Sequence, residues 1–168
     1  SSGLVGSEMC IRDSNLPVLC TYEHQDIISN DNLHYAGELG LRPPEPIRKN
    51  ALEADLVLVV GHRFNGVPNM AYKFPSSKQM FIHVIPDPNT IGKIFRTDMG
   101  IVADSENFLE QLSKFSNSDK NSERDEWVKL CHYRYLNNDS TVTPRNANDG
   151  LDFAHFIDAL GKIAPENS

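Results

Sequence analysis

The chain has 168 residues, 39% of them hydrophobic and 23% charged, which is enough for one sizeable domain with a buried core. A formal net charge of -7, with Lys and Arg scattered along the chain, argues against a nucleic acid partner. No apolar stretch approaches the length of a membrane span, so no membrane partner is expected.

Near its start the chain reads Leu4-Val-Gly-Ser-Glu-Met-Cys-Ile-Arg-Asp-Ser14. That run resembles the translation of a transposase adapter used to prepare DNA sequencing libraries, and residues 1–14 are set apart from fold reasoning on that ground. Without Glu8, Arg12 and Asp13 the charge becomes 15 Lys+Arg minus 21 Asp+Glu, or -6. Met9 is then no reliable initiator, and the protein's own sequence is expected to begin near Asn15. Of three cysteines, Cys20 and Cys131 remain, with no CxxC spacing. They read as packing thiols in a reducing compartment, which makes a cytoplasmic location the expectation.

Leu16 to Tyr22 reads as a short strand with Pro17 near its start, where a missing N–H costs least. Glu23 to Pro46 holds Asn30-Asp31-Asn32, glycines and prolines, and is expected to be a long loop. Pro46 suits an early position of a helix over Ile47 to Ala54. Asp55 to Val60 is an apolar β-branched run ending at Gly61-His62-Arg63, the pattern of a buried parallel strand that opens onto a loop. Gly66 to Tyr72 is ambiguous, although Pro68 allows a helix there. Met80 to Ile85 is a second buried run, stopped by Pro86-Asp87-Pro88. Asn89 or Thr90 caps an expected short helix through Phe95, and Gly100 to Val102 makes a brief strand. From Ser105, the spacing of Phe108, Leu109, Leu112 and Phe115 predicts an amphipathic helix. Ser116 to Ser122 is a polar linker, followed by a helix over Asp125 to Leu136 anchored by Trp127, Leu130 and Tyr135. After a loop from Asn137 to Gly150, Phe153, Phe156, Ile157, Leu160 and Ile163 mark a last amphipathic helix.

Strand and helix signals alternate as in stacked βαβ units, which predicts an α/β domain with a parallel sheet and strands near Val18, Val57, Phe81 and Ile101. Four stretches also carry a family likeness: Tyr35-Ala-Gly-Glu-Leu-Gly-Leu41, then Asn50 to Phe64, then His83-Val-Ile-Pro-Asp-Pro88 with Ile91-Gly92-Lys93, and Ile101-Val-Ala-Asp104. In this order they resemble the central domain of thiamine diphosphate-dependent enzymes, acetolactate synthase-like proteins in particular. The resemblance implies a three-layer Rossmann-like parallel sheet, incomplete at its N-terminal edge, over residues 15–115. It implies an inter-domain linker with one helix over 116–150, and over 151–168 the first helix of a truncated diphosphate-binding domain. A chain cut from a longer protein at both ends is therefore expected. The apolar face of its last helix would lack the sheet it should cover, and the region after Phe115 is expected to be mobile or to rest against the central domain in a non-native way.

The resemblance also sets the chemistry. The family's Gly-Asp-Gly motif for Mg²⁺ and diphosphate is absent, as is the first domain with its activating glutamate. No catalytic residue and no metal ligand is therefore expected, and thiamine diphosphate and Mg²⁺ would bind outside this chain in the full-length enzyme. In flavin-binding members, loops equivalent to Gly61-His62-Arg63 and the acids after the next strand hold the dinucleotide. The candidate cofactor-binding residues at this nucleotide edge are Gly61, His62, Arg63 and Asp87. Ile85 and Asn65 stand where those members carry acids, so FAD is not expected. A tight strand exit at Gly61 and a turn cap at Asp87 are the plainer reading of these two residues. The implied function is that of a non-catalytic central-domain fragment of a lyase or carboligase acting on small-molecule 2-oxo acids, acetolactate synthase or 2-oxo acid decarboxylase alike. Its full-length form would be a homodimer or homotetramer. The alternative is a stand-alone nucleotide- or acyl-CoA-binding module.

Overall fold

The computed structural model describes residues 14–22, 24–115, 122–138 and 150–165. Most of the adapter-like segment, the polar linker and the loop before the last helix lie outside them. The chain divides into two compact units, one ending at Asn138 and one beginning at Asp139.

The first unit is α/β with parallel sheets and flanking helices, as expected. Its strands are β1 (Val18–Thr21), β2 (Tyr35–Leu39), β3 (Leu56–Val60), β4 (Met80–Val84) and β5 (Met99–Ile101). They form two sheets, β1–β2 and β3–β4–β5, with every pairing parallel. The register of β3 on β4 sets Val57 beside Phe81 and Val59 beside His83, so these four side chains share one face. That face is buried and forms a core with Leu39, Ala51, Phe64 and Phe74.

Strand β2 lies in what the sequence presents as loop. Tyr-Ala-Gly-Glu-Leu has no β-branched residue, and glycine weakens a strand interior. Tertiary contact overrides both handicaps. Tyr35, Ala36 and Leu39 are buried, and the pairing to β1 shifts by one residue between Val18 and Cys20. Gly37 sits in that bulge at φ +111°, and a Cβ there would come within 2.6 Å of Ile47 Cδ1. Glycine is thus what lets helix α1 (Glu45–Leu52) approach the strand.

Helix α1 starts two residues before the expected position, with Pro46 in its first turn, and buries Ile47, Asn50 and Ala51. Helix α2 (Ser105–Ser113) is capped by Asp104, whose carboxylate accepts from the Glu106 and Asn107 amides. Helix α3 (Ser122–Leu136) starts earlier than expected and packs on β2 and α1. Its buried residues are Val128 and Cys131, whereas Leu130 is exposed. Of the three anchors expected, Tyr135 meets the core, its ring edge on Tyr35 at 4.6 Å between centroids. Trp127 is half-buried beneath the Arg134 guanidinium. Helix α3 thus rests on the central domain through Val128, Cys131 and Tyr135.

The expected helix through Phe95 is only one 3₁₀ turn, Pro88–Thr90. Ile91 leaves it in extended conformation and Gly92 follows at φ +73°, so the chain cannot continue helically. Residues 66–72 form turns, with Met70, Ala71 and Tyr72 all at positive φ.

The second unit contains α4 (Phe153–Ile163), the amphipathic helix expected from its spacing. Phe153 and Phe156 stack with centroids 5.8 Å apart, and Lys162 pairs with Asp158 at 2.7 Å one turn earlier. Among the described residues no helix is long and apolar enough to cross a membrane.

Candidate functional site

Gly61-His62-Arg63 leaves the carboxyl end of β3, and Asp87 follows the end of β4, so the parallel pairing brings all four residues to one side of the sheet. The Gly61 amide extends the ladder by donating to Val84 O at 2.9 Å. Gly61 has φ +74°, and a Cβ there would collide with Ser105 Oγ at the start of α2. The position therefore needs glycine twice over, for its backbone angle and for the approach of the helix.

The two residues that follow are held by side chains. Phe64 N–H donates to His62 Nδ1 at 2.7 Å, and His83 Nε2–H donates to His62 O at 2.9 Å. Phe64 lies at φ +54° with its ring buried against Phe74, Phe81 and Phe95. Buried Asn69 braces the loop from beneath, donating to Phe64 O at 3.0 Å and accepting from the Tyr72 amide at 2.9 Å. Burial, then the neighbouring His24 and His83, lower the His62 pKa from its ordinary value.

Arg63 is exposed at the rim. Asp87 is exposed too, and its carboxylate is committed to the turn: Oδ1 accepts from the Asn89 amide at 3.0 Å and Oδ2 from Thr90 Oγ1 at 3.1 Å. The Asn89 amide first, then the Thr90 hydroxyl, hold the Asp87 pKa below the usual carboxylate value, and the Arg63 charge contributes less. Between the two loops lies a crevice of about 10 Å³, lined by Arg63, Phe64, His83, Thr90, Ile94 and Phe95 among others. That volume holds about one water molecule.

His83, Asn69 and Phe95 are the site residues that sequence reasoning missed. His83 alternates with Phe81 on one face of β4, a period-2 signal that was open to view. Asn69 sits in an irregular turn, where no period exists to mark it. Ile85 is buried and apolar, and Asn65 is exposed.

Both implied cofactors fit this arrangement poorly. Among the described residues no group of three or more His, Cys, Asp or Glu is placed to hold a metal. Asp87 has committed both oxygens, while His62 Nδ1 and His83 Nε2 bond backbone groups. That donor set does not fit a magnesium diphosphate. Cys20 and Cys131 are free and buried, and burial pushes their thiols up to about 11 and about 12 respectively. Neither is an activated nucleophile.

Residues 9–112, which span all five strands and most of α2, match the family described as thiamine pyrophosphate enzyme, central domain. The chain belongs to that family. It is 28% identical over 100 residues to a probable acetolactate synthase large subunit of Methanococcus aeolicus, covering 60% of this chain and 17% of the relative. It is 26% identical over 127 residues to acetolactate synthase isozyme 3 large subunit of Escherichia coli K12, covering 71% and 22%. A pyruvate oxidase of Lactiplantibacillus plantarum is 25% identical over 106 residues, covering 62% and 17%. The matched region is thus about a fifth of the length of these curated relatives.

Proposed function

We propose that this chain acts as the central-domain part of a thiamine diphosphate-dependent lyase or carboligase for 2-oxo acids, with an acetolactate synthase-like reaction favoured. The observation that carries this reading is the agreement of the family match over residues 9–112 with a parallel sheet that gathers Gly61, His62, Arg63 and Asp87 at its carboxyl ends. The names of the relatives, acetolactate synthase and pyruvate oxidase, support the substrate class.

In this reading residues 15–115 supply a wall and a scaffold, and thiamine diphosphate with Mg²⁺ binds elsewhere in a cytoplasmic homodimer or homotetramer. The cofactor, when bound, supplies the carbanion-stabilising chemistry. Flavin is not held, because Ile85 is turned into the core, Asn65 is uncharged and Asp87 is occupied as a cap. One observation favours the alternative of a nucleotide- or acyl-CoA-binding module: Arg63 is an exposed cation at the strand ends, where open α/β sheets take ligands. Calorimetric titration of the chain with thiamine diphosphate and Mg²⁺ tests the first reading. No saturable heat is expected, and saturable binding would overturn the scaffold role. Saturable binding of ADP or coenzyme A that disappears in Arg63→Ala would instead establish the alternative.

A further inference from the structure

The segment from His62 to Phe64 is held by three bonds between side chains and backbone, and they differ in how they respond to protons. Asn69 donates to Phe64 O through an amide that does not titrate. His83 donates to His62 O through Nε2–H, which it keeps whether neutral or charged. The bond between Phe64 N–H and His62 Nδ1 is different. A backbone N–H only donates, so Nδ1 must offer its lone pair and the single ring proton must sit on Nε2. A proton taken up at Nδ1 occupies that lone pair and turns an acceptor into a second donor facing the Phe64 amide.

We propose that His62 is a proton-operated latch on the loop that presents Arg63: neutral His62 holds Phe64 in its left-handed turn with the ring in the core, and protonated His62 releases it. Phe64 is where release matters. A phenylalanine at φ +54° persists only when its surroundings hold it, and its carbonyl is also the point at which Asn69 braces residues 66–74. The groups acting on His62 oppose its charged form. His24, beyond β1, and His83, on β4, are both basic, and Arg63 is its chain neighbour. The carboxylate on the Arg63 side, Asp87, is committed to Asn89 and Thr90. Because burial and these histidines lower the His62 pKa from its ordinary value, the latch is closed at neutral pH and opens as pH falls through that lowered value. The sign for stability follows. A depressed histidine costs nothing above its unfolded value, begins to destabilise the fold as pH falls through that value, and reaches its full cost below the folded value. The latch also predicts that an anion held by Arg63 binds more weakly in acid, the reverse of what an added positive charge alone would produce.

The test follows backbone amide and histidine ring resonances of the 168-residue chain from about pH 8 downward until the His62 ring has titrated. The Phe64 amide is expected to move upfield and to lose about tenfold in protection relative to the intrinsic exchange rate at each pH, with a midpoint equal to that of the His62 ring. His62→Asn places a non-titrating oxygen where Nδ1 was, and is expected to abolish the transition while keeping the neutral-pH Phe64 shift. A Phe64 amide insensitive to pH in the wild-type chain would overturn the proposal. So would an unchanged transition in His62→Asn, which would assign the event to His24 or His83. Should His62→Asn fail to fold, a mismatch between the Phe64 and His62 midpoints in the wild-type chain refutes it equally.

Discussion

The half of the first unit beneath the Arg63 loop and the half beneath α3 are both parallel α/β, yet they are joined by different kinds of contact. Under the loop the core is apolar and largely aromatic: Phe64, Phe74 and Phe81 with Val57 and Val59, and Phe95 at its edge. Under α3 a second cluster of Cys20, Ile28 and Tyr35 is small, and polar bridges complete the join. Buried Asn50 on α1 donates to Ala36 O on β2 and to Cys131 O on α3, at 3.0 Å each. His132 Nδ1–H donates to Tyr35 O at 2.9 Å, and Arg134 reaches both Asn50 Oδ1 and Glu53. One half coheres through burial, which is indifferent to direction. The other depends on donors and acceptors that must meet in one geometry, so single substitutions should act in different ways on the two.

The largest effect is expected from Phe64→Ala. It removes a buried ring that touches three others and should cost about 3–5 kcal/mol, read as a lower urea midpoint with an unchanged slope. Asn50→Leu comes next. It keeps approximate volume but strips two backbone carbonyls of a donor, for an expected loss of about 2–3 kcal/mol. If burial alone held α3, this change would be neutral or stabilising, and the distinction between the halves would collapse. Gly61→Ala should cost about 1–3 kcal/mol through its left-handed backbone and the clash with Ser105. Adding Ser105→Gly should recover the steric part and leave the backbone part, so thermal unfolding of the pair separates the two causes. The smallest is Asp104→Ala, which removes the cap of α2 for about 1 kcal/mol. Amide exchange should show that loss confined to the first turn of α2, with α3 unaffected.

The two halves also differ in how much of them is legible along the chain. Strands β3 and β4 are apolar runs of four to six residues closed by turn signals, and α2 and α4 repeat their apolar residues at helical spacing. Such elements are written locally, because the residues that define them are neighbours. Gly61 and Asp87 are legible for the same reason, one as a strand exit and the other as a cap two residues from the amide it accepts. The grouping of Gly61, His62, Arg63 and Asp87 needs only the rule that parallel strands gather their carboxyl ends. Strand β2 escapes this kind of reading. Its sequence favours no strand, and it becomes one because β1 pairs with it while α1 and α3 cover it.

What the amino-acid sequence determined by itself is therefore the α/β class, the family and the turns that leave the carboxyl ends of β3 and β4, since these follow from local period and from motifs a few residues long. Tertiary structure alone decided which face of α3 is buried. Val128, Cys131 and Tyr135 meet the core only because Asn50, 81 residues before Cys131, and Tyr35, 97 before His132, present bonding partners to that face. It also decided the role of His62. Nothing in the run Gly61-His62-Arg63-Phe64 shows that the imidazole will accept from the amide two residues on. That bond is made where the folded chain sets Phe64 at positive φ with its ring against the aromatic core, a conformation that no local pattern marks.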